Sequence, residues 1–125
     1  MDKTKLYAPT VGRVLMGVLF LVAGLGKVGD VAGFSGYLVS GGLPAFLAWP
    51  AVIFEIVLGA ALIAGFQARI IALLGAAFCV AAALLYHLVP SDPMQMAMLL
   101  KNFAVAGGLL YVFAFGAGPL ALDKR

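Results

Sequence analysis

Apolar residues run in four long blocks, roughly Thr10–Val28, Pro44–Phe66, Ile70–Val89 and Met94–Ala117, each interrupted by only one or two basic or acidic side chains (Lys, Arg, His or Glu). At about 1.5 Å per residue, each block taken as a helix matches the ~30 Å hydrocarbon core of a bilayer. The pattern predicts four membrane-spanning helices. Turn chemistry supports the boundaries. Ser91-Asp92-Pro93 supplies a cap and a first-turn proline for the last helix, and Gly116, Gly118 and Pro119 can end it. The first connection, "GDVAGFSGYLVSGGLP", is long and half apolar. Asp30 is placed to cap a short interfacial helix carrying Phe34, Tyr37 and Leu38 and ended by Gly41-Gly42, a lid over the outer face. An ordinary anchored loop fits the same residues.

Composition agrees with the pattern. With 65% apolar and 10% charged residues in 125, the chain has more apolar surface than one small soluble core can hide. Its mean hydropathy is +1.15. The expected fold is all-α, an integral membrane four-helix bundle with short connections. One domain spans 1–125, with helices at about 10–28, 44–66, 70–89 and 93–117. Lys3 and Lys5 ahead of an apolar run also resemble the start of a secretory signal. No small-x-small cleavage site precedes a polar mature chain, so a retained first helix is the better reading.

Charge sets the orientation. Lys3, Lys5, Arg13, Arg69, Lys124 and Arg125 share one side of a four-span chain, whereas Lys27 and Lys101 lie toward the other. The positive-inside rule then places both termini in the cytoplasm, and the net charge of +3 reflects topology rather than a nucleic-acid surface. Arg13 and Arg69 are expected to snorkel to the cytoplasmic interface. Trp49 and Tyr86 suit the outer interface and Tyr7 the inner one.

The remaining polar groups converge by depth. Lys27, Glu55, His87 and Lys101 with Asn102 come from four different helices, yet all fall in the outer half of the bundle. Arg13, Gly17, Phe20, Gly24 and Lys27 form one helical stripe, Glu55 and Gly59 share a face, and so do Lys101, Val105 and Gly108. Small residues beside charges mark the faces that look into the bundle. A charge in the bilayer is costly unless paired or hydrated, so Glu55 is either a register-fixing partner of Lys27 or Lys101, or part of a site. Two lysines and a histidine for one carboxylate leave excess positive charge, which suits an anion or a carbonyl-bearing ligand. His87, near a helix end, fits an interfacial polar role as well as a proton-transfer role.

Other chemistries recede. The single Cys79 lies mid-span without a CxxC partner, which makes it a packed thiol and removes intramolecular dithiol exchange. One histidine and one cysteine cannot build a closed zinc site in a monomer, and no flavin, haem or iron–sulfur ligand set is visible. Met94, Met96 and Met98 offer soft ligands for Cu(I), but a helix turns Met96 away from the other two, so interfacial packing is the better reading.

The segments "GRVLMGVLFLVAGLGKVGD", "SGYLVSGGLP", "FEIVLGAALIAGFQAR", a helix ending "YHL", and "KNFAVAGGLL…FGAGPLALD" closely resemble the DoxX family of small four-helix membrane proteins, from about residue 11 to 123. The resemblance rests on the ordered set Arg13, Lys27, Pro44, Glu55, Gly59, Arg69, His87, Lys101-Asn102 and Gly107-Gly108. It implies a bacterial inner-membrane protein. The family name comes from a subunit of a thiosulfate:quinone oxidoreductase, which implies redox association without identifying the substrate. The expected function is that of a subunit or accessory of quinone-linked redox chemistry, on thiosulfate or other sulfur compounds or in oxidative stress, with a quinone as bound substrate in a periplasm-facing polar pocket. There Lys27 and Lys101 stabilise negative charge on a quinone oxygen or sulfur oxyanion, Asn102 contributes to binding, His87 shuttles a proton and Glu55 orients a lysine. Expected partners are the lipid bilayer and an oxidoreductase subunit, with a homo-oligomer left open and no nucleic acid. The alternative is a noncatalytic membrane partner or small-molecule carrier using the same pocket.

The orientation is testable by labelling. With Cys79 replaced, cysteines introduced at Ser35 and Ser91 should react with an impermeant thiol reagent added to intact cells. Labelling confined to broken cells would reverse the topology.

Overall fold

The computed structural model describes residues 2–123, so Lys124 and Arg125, two of the six cations behind the orientation argument, lie outside the described residues. Five α-helices follow one another: α1 (Lys3–Val28), α2 (Val31–Ser40), α3 (Ala48–Ala64), α4 (Ala68–Ala82) and α5 (Pro93–Phe115). A 3₁₀ turn, Ala45–Leu47, leads into α3, and a π-helical turn, Ala83–His87, extends α4. With these extensions, four of the helices are long and apolar enough to cross a membrane. No β-strand occurs among the described residues.

Local chemistry sets the ends. Helix α1 begins at Lys3, a full two turns before the apolar block, because the Asp2 carboxylate accepts the Thr4 N–H at 2.6 Å and caps it. The short helix α2 is present, as one of the two readings of the first connection required. Asp30 Oδ1 accepts from Gly33 N at 2.9 Å, and Gly41 closes the other end. Helix α3 stops at Gly65, whose φ of 72° is left-handed, and the N–H groups of Gly65 and Phe66 both return to the Ala61 carbonyl. Asp92 caps α5 by accepting from Met94 N and Gln95 N, with Pro93 in the first turn.

Packing pairs α1 with α3 and α4 with α5. Between α1 and α3 the backbones nearly touch. A Cβ on Gly17 would lie 2.8 Å from the Gly59 carbonyl oxygen, and one on Gly59 would lie 2.5 Å from Leu21 N. Only hydrogen fits at those two positions, which is how small residues let membrane helices approach. The core runs along the seam between the two pairs. Leu58, Leu62, Ala72 and Leu109 are fully enclosed there.

The expected snorkelling of Arg13 is overturned. Its residue is 1% exposed, and all five N–H groups of its guanidinium are bonded to backbone carbonyls. Nη1 donates to Leu62 O at 2.7 Å and Ile63 O at 2.8 Å, the carbonyls left without N–H partners at the end of α3. Nε donates to Ala117 O at 2.9 Å, and Nη2 to Pro119 O at 3.3 Å and Leu120 O at 3.0 Å. The cause is the negative end of the α3 dipole together with a chain segment after α5 that folds back beneath it. Thr10 Oγ1 holds the same segment through Pro119 O at 2.6 Å. Beyond it, Leu122 N and Asp123 N donate to Ala64 O and Gly65 O, and the Asp123 carboxylate caps α4 by accepting from Gln67 N and Ala68 N. Arg69, in contrast, is exposed.

Arg13→Met should therefore destabilise the protein by about 3–5 kcal/mol, since several buried acceptors lose their donor at once. Arg69→Met should change stability by less than about 0.5 kcal/mol. Thermal unfolding in mild detergent reads both, and equal effects would remove the distinction between the two arginines.

Candidate functional site

The close contact of α1 with α3 positions the first pair of functional groups. A Cβ on Gly24 would lie 3.1 Å from Ile56 N and 3.2 Å from Glu55 Cβ, so one turn farther along α1 the Lys27 side chain falls beside Glu55. Lys27 Nζ donates to Glu55 Oε1 at 2.9 Å and Oε2 at 3.2 Å. The Glu55 side chain is 6% exposed and that of Lys27 31%. The ammonium also sits 5.3 Å from the centroid of the Phe34 ring on α2, within cation–π range.

These groups border a cavity of about 520 Å³ in the half of the bundle that α2 covers. Lys27, Glu55, His87, Lys101 and Asn102 all line it. Its walls are otherwise apolar and aromatic, with Phe54 and Phe78 packed at 5.2 Å between ring centroids. The five polar side chains thus come from the first, third and fifth helices and from the π turn after the fourth.

Their individual partners differ. His87 Nδ1 lies 2.7 Å from Gln95 Oε1, in the first turn of α5. With the amide oxygen as acceptor, Nδ1 carries the ring proton and Nε2 is the basic nitrogen. Asn102 Nδ2 donates to the Cys79 carbonyl at 3.3 Å, tying α5 to α4 just before the π turn, so this amide braces the cavity wall. Lys101 lines the cavity with no hydrogen bond or ion pair among the described residues. The Cys79 residue is buried at 3% exposure, and its side borders the cavity.

The roof was the least visible part in the sequence. Phe34, Tyr37 and Leu38 of α2 close the cavity, and Tyr86 holds them down. Its hydroxyl donates to Leu38 O at 2.7 Å, and its ring stacks on Tyr37 with centroids 4.8 Å apart. Gly41 makes room for that ring, because a Cβ there would overlap the Tyr86 ring carbons. Partial burial, with a smaller contribution from Tyr86, raises the Tyr37 pKa above its ordinary value. The lid tyrosine accordingly remains uncharged at neutral pH. The signal for this latch was the aromatic spacing of Phe34 and Tyr37 on one face of α2. Tyr86 itself reads as an interfacial anchor, because nothing in the sequence announces the π turn that carries it.

A second cleft, about 570 Å³, opens at the other end of the bundle between Gln67, Arg69, Gly116 and Asp123. None of the expected site residues borders it.

Residues 8–88 match the family model described as DoxX. The match includes Lys27, Glu55 and His87 and ends before Lys101 and Asn102. The inner membrane protein YqjF of Escherichia coli K12 is 33% identical over 114 residues, covering 91% of this chain and 88% of that protein. No solved structure matches.

The Lys27–Glu55 geometry predicts a non-additive pair. Glu55→Gln alone should cost about 2 kcal/mol or more, because it leaves a lysine in a poorly hydrated site without its counter-charge. Lys27→Met combined with Glu55→Gln should recover at least half of that loss. Unfolding of the two singles and the double in the same detergent measures the coupling, and simple additivity would show that the pair does not interact.

Proposed function

The chain belongs to the DoxX family, and from that premise we propose that it is an inner-membrane subunit or accessory of quinone-linked redox chemistry, with the cavity beneath α2 as its quinone site. The observation that carries this reading is the arrival of five polar side chains from four separate elements in one aromatic-walled cavity. A volume of about 520 Å³ falls within the range of small-molecule sites. Flat apolar walls suit a ring, and the N–H donors among the lining side chains suit its carbonyl oxygens. In this reading the cavity faces the periplasm, both termini are cytoplasmic, and a partner oxidoreductase subunit exchanges the electrons.

The residues divide the work by chemistry. Lys27, held by both oxygens of Glu55, and Lys101 offer ammonium donors to an oxygen or sulfur oxyanion that gains negative charge. Glu55 orients Lys27. His87, fixed at Nδ1 by Gln95, moves a proton through Nε2. Asn102 holds the wall behind Lys101. The lid of Phe34, Tyr37 and Leu38 limits water, which strengthens each electrostatic contact. That same lid also favours a second reading, a noncatalytic binding protein or carrier that encloses its ligand.

The test is binding followed by turnover. Protein purified in mild detergent should carry an extractable quinone, and the quinone-depleted protein should bind 1,4-naphthoquinone saturably. Lys27→Met should weaken that binding about tenfold, equivalent to about 1.4 kcal/mol. Absence of both bound quinone and saturable binding would overturn the quinone site. A bound metabolite with no redox turnover in native membranes would favour the carrier.

A further inference from the structure

The cavity does not balance its own charge. Two lysines, one histidine and one carboxylate border it, Lys27, Lys101, His87 and Glu55, beside the hydroxyls of Tyr37 and Tyr86 and the Cys79 thiol. Glu55 is its one lining carboxylate among the described residues, and both of its oxygens lie on Lys27 Nζ, at 2.9 and 3.2 Å. The other face of that ammonium meets the Phe34 ring. Lys27 is therefore already neutralised, whereas Lys101 has no carboxylate partner among the described residues. The two acids nearest the lid end are engaged elsewhere and do not line the cavity. Asp30 caps α2 through Gly33 N, and Asp92 caps α5 through Met94 N and Gln95 N. His87 is held at Nδ1 by a neutral amide, which supplies no negative charge.

We propose that Lys101 is the charge-selecting group of the cavity, and that the site holds a flat apolar body most tightly when it carries one negative charge, so that a neutral quinone binds more weakly than a monoanion of the same shape. The proposal rests on the reading of this cavity as a ligand site and adds to it the ligand's charge. A lone ammonium two turns inside an apolar span is costly, and an anionic head placed against it recovers that cost. A neutral ligand leaves Lys101 without a counter-charge. A dianion brings a second negative charge toward Glu55, where the only other lysine is already paired. One negative charge is the number that leaves no lining lysine or carboxylate unmatched. The body is specified by the rest of the lining: the Phe54–Phe78 pair, the stacked Tyr37 and Tyr86, and Leu38 offer flat apolar contact.

The two earlier roles of the lysines thus separate. Lys27 belongs to a bridge that also touches the lid, and Lys101 reads the ligand's charge.

The experiment uses the full chain in lipid nanodiscs at neutral pH, titrated calorimetrically with probes of one shape. These are 2-naphthoate, its neutral amide 2-naphthamide, the dianion naphthalene-2,6-dicarboxylate, and 1,4-naphthoquinone. We expect 2-naphthoate to bind at least tenfold tighter than 2-naphthamide and tighter than the dianion. Lys101→Met should bring naphthoate and naphthamide to the same affinity, and Lys101→Gln serves the same purpose if the methionine variant does not fold. Equal affinity of the two in the unaltered protein, or a preference for naphthoate that survives loss of Lys101, would overturn charge selection. Failure of 1,4-naphthoquinone to bind while naphthoate binds would instead sink the quinone reading and leave charge selection standing. Binding of none of the four would overturn both.

Discussion

The backbones of α1 and α3 touch at Gly17, Gly24 and Gly59, and the positions of the other groups follow from that contact. Because the glycines themselves carry no side chain, the two backbones come this close, and α1 cannot slide or rotate without driving its backbone into α3 or into the Ile56 and Ile63 side chains that fill the glycine gaps. The stripe that carries these glycines also carries Arg13 at one end and Lys27 at the other. Fixing its phase against α3 aims both cations at α3. At one end the guanidinium meets the open carbonyls of the helix terminus, and at the other the ammonium meets Glu55. Two charges that would be liabilities on a lipid-facing helix become internal contacts of one helix pair.

The four long apolar helices, the gathering of the polar residues in one half of the bundle and the inward face of α1 were legible in the sequence, because a bilayer imposes length and helical phase imposes direction. The pairing of Glu55 was not. Depth alone placed two lysines within reach of it, and only the glycine contact decides for Lys27 over Lys101. The roof was ambiguous for a different reason: a half-apolar ten-residue segment fits an anchored loop as well as a helix, and the Tyr86 hydrogen bond to Leu38 O connects residues 48 apart in sequence. The π turn adds a residue to the last turn of that span, so the faces of Tyr86 and His87 cannot be read from a 3.6-residue period.

Arg13 and Arg69 show how the same residue type diverges by context. Each stands near the start of an odd-numbered span, and by position alone both read as interfacial anchors. Around Arg13 the end of α3 and the returning segment of residues 117–120 present five carbonyl oxygens within 3.3 Å. A planar guanidinium with five donors in a fixed fork satisfies them all, which an ammonium with three donors does not. Arg69 is exposed and meets no such cluster among the described residues, where the Asp123 carboxylate caps the helix that carries it. The sequence shows the donors, but the acceptors come from chain segments about 50 and 105 residues away.

Floor and roof of the cavity share residues, and this limits how the lid can move. Lys27 bonds to Glu55 below and faces the Phe34 ring above, so lifting α2 strips the ammonium of one neighbour and leaves it with the other. Tyr86 and His87 occupy adjacent positions of one π turn, the first holding α2 and the second holding Gln95 at the start of α5. Any change in that turn alters the latch and the imidazole of His87 together. Asn102 braces the same segment from α5 through Cys79 O, next to Lys101. Opening the lid is therefore coupled to the electrostatics of the floor through contiguous contacts, each with a named donor or ring. A ligand that enters beneath α2 acts on both at once.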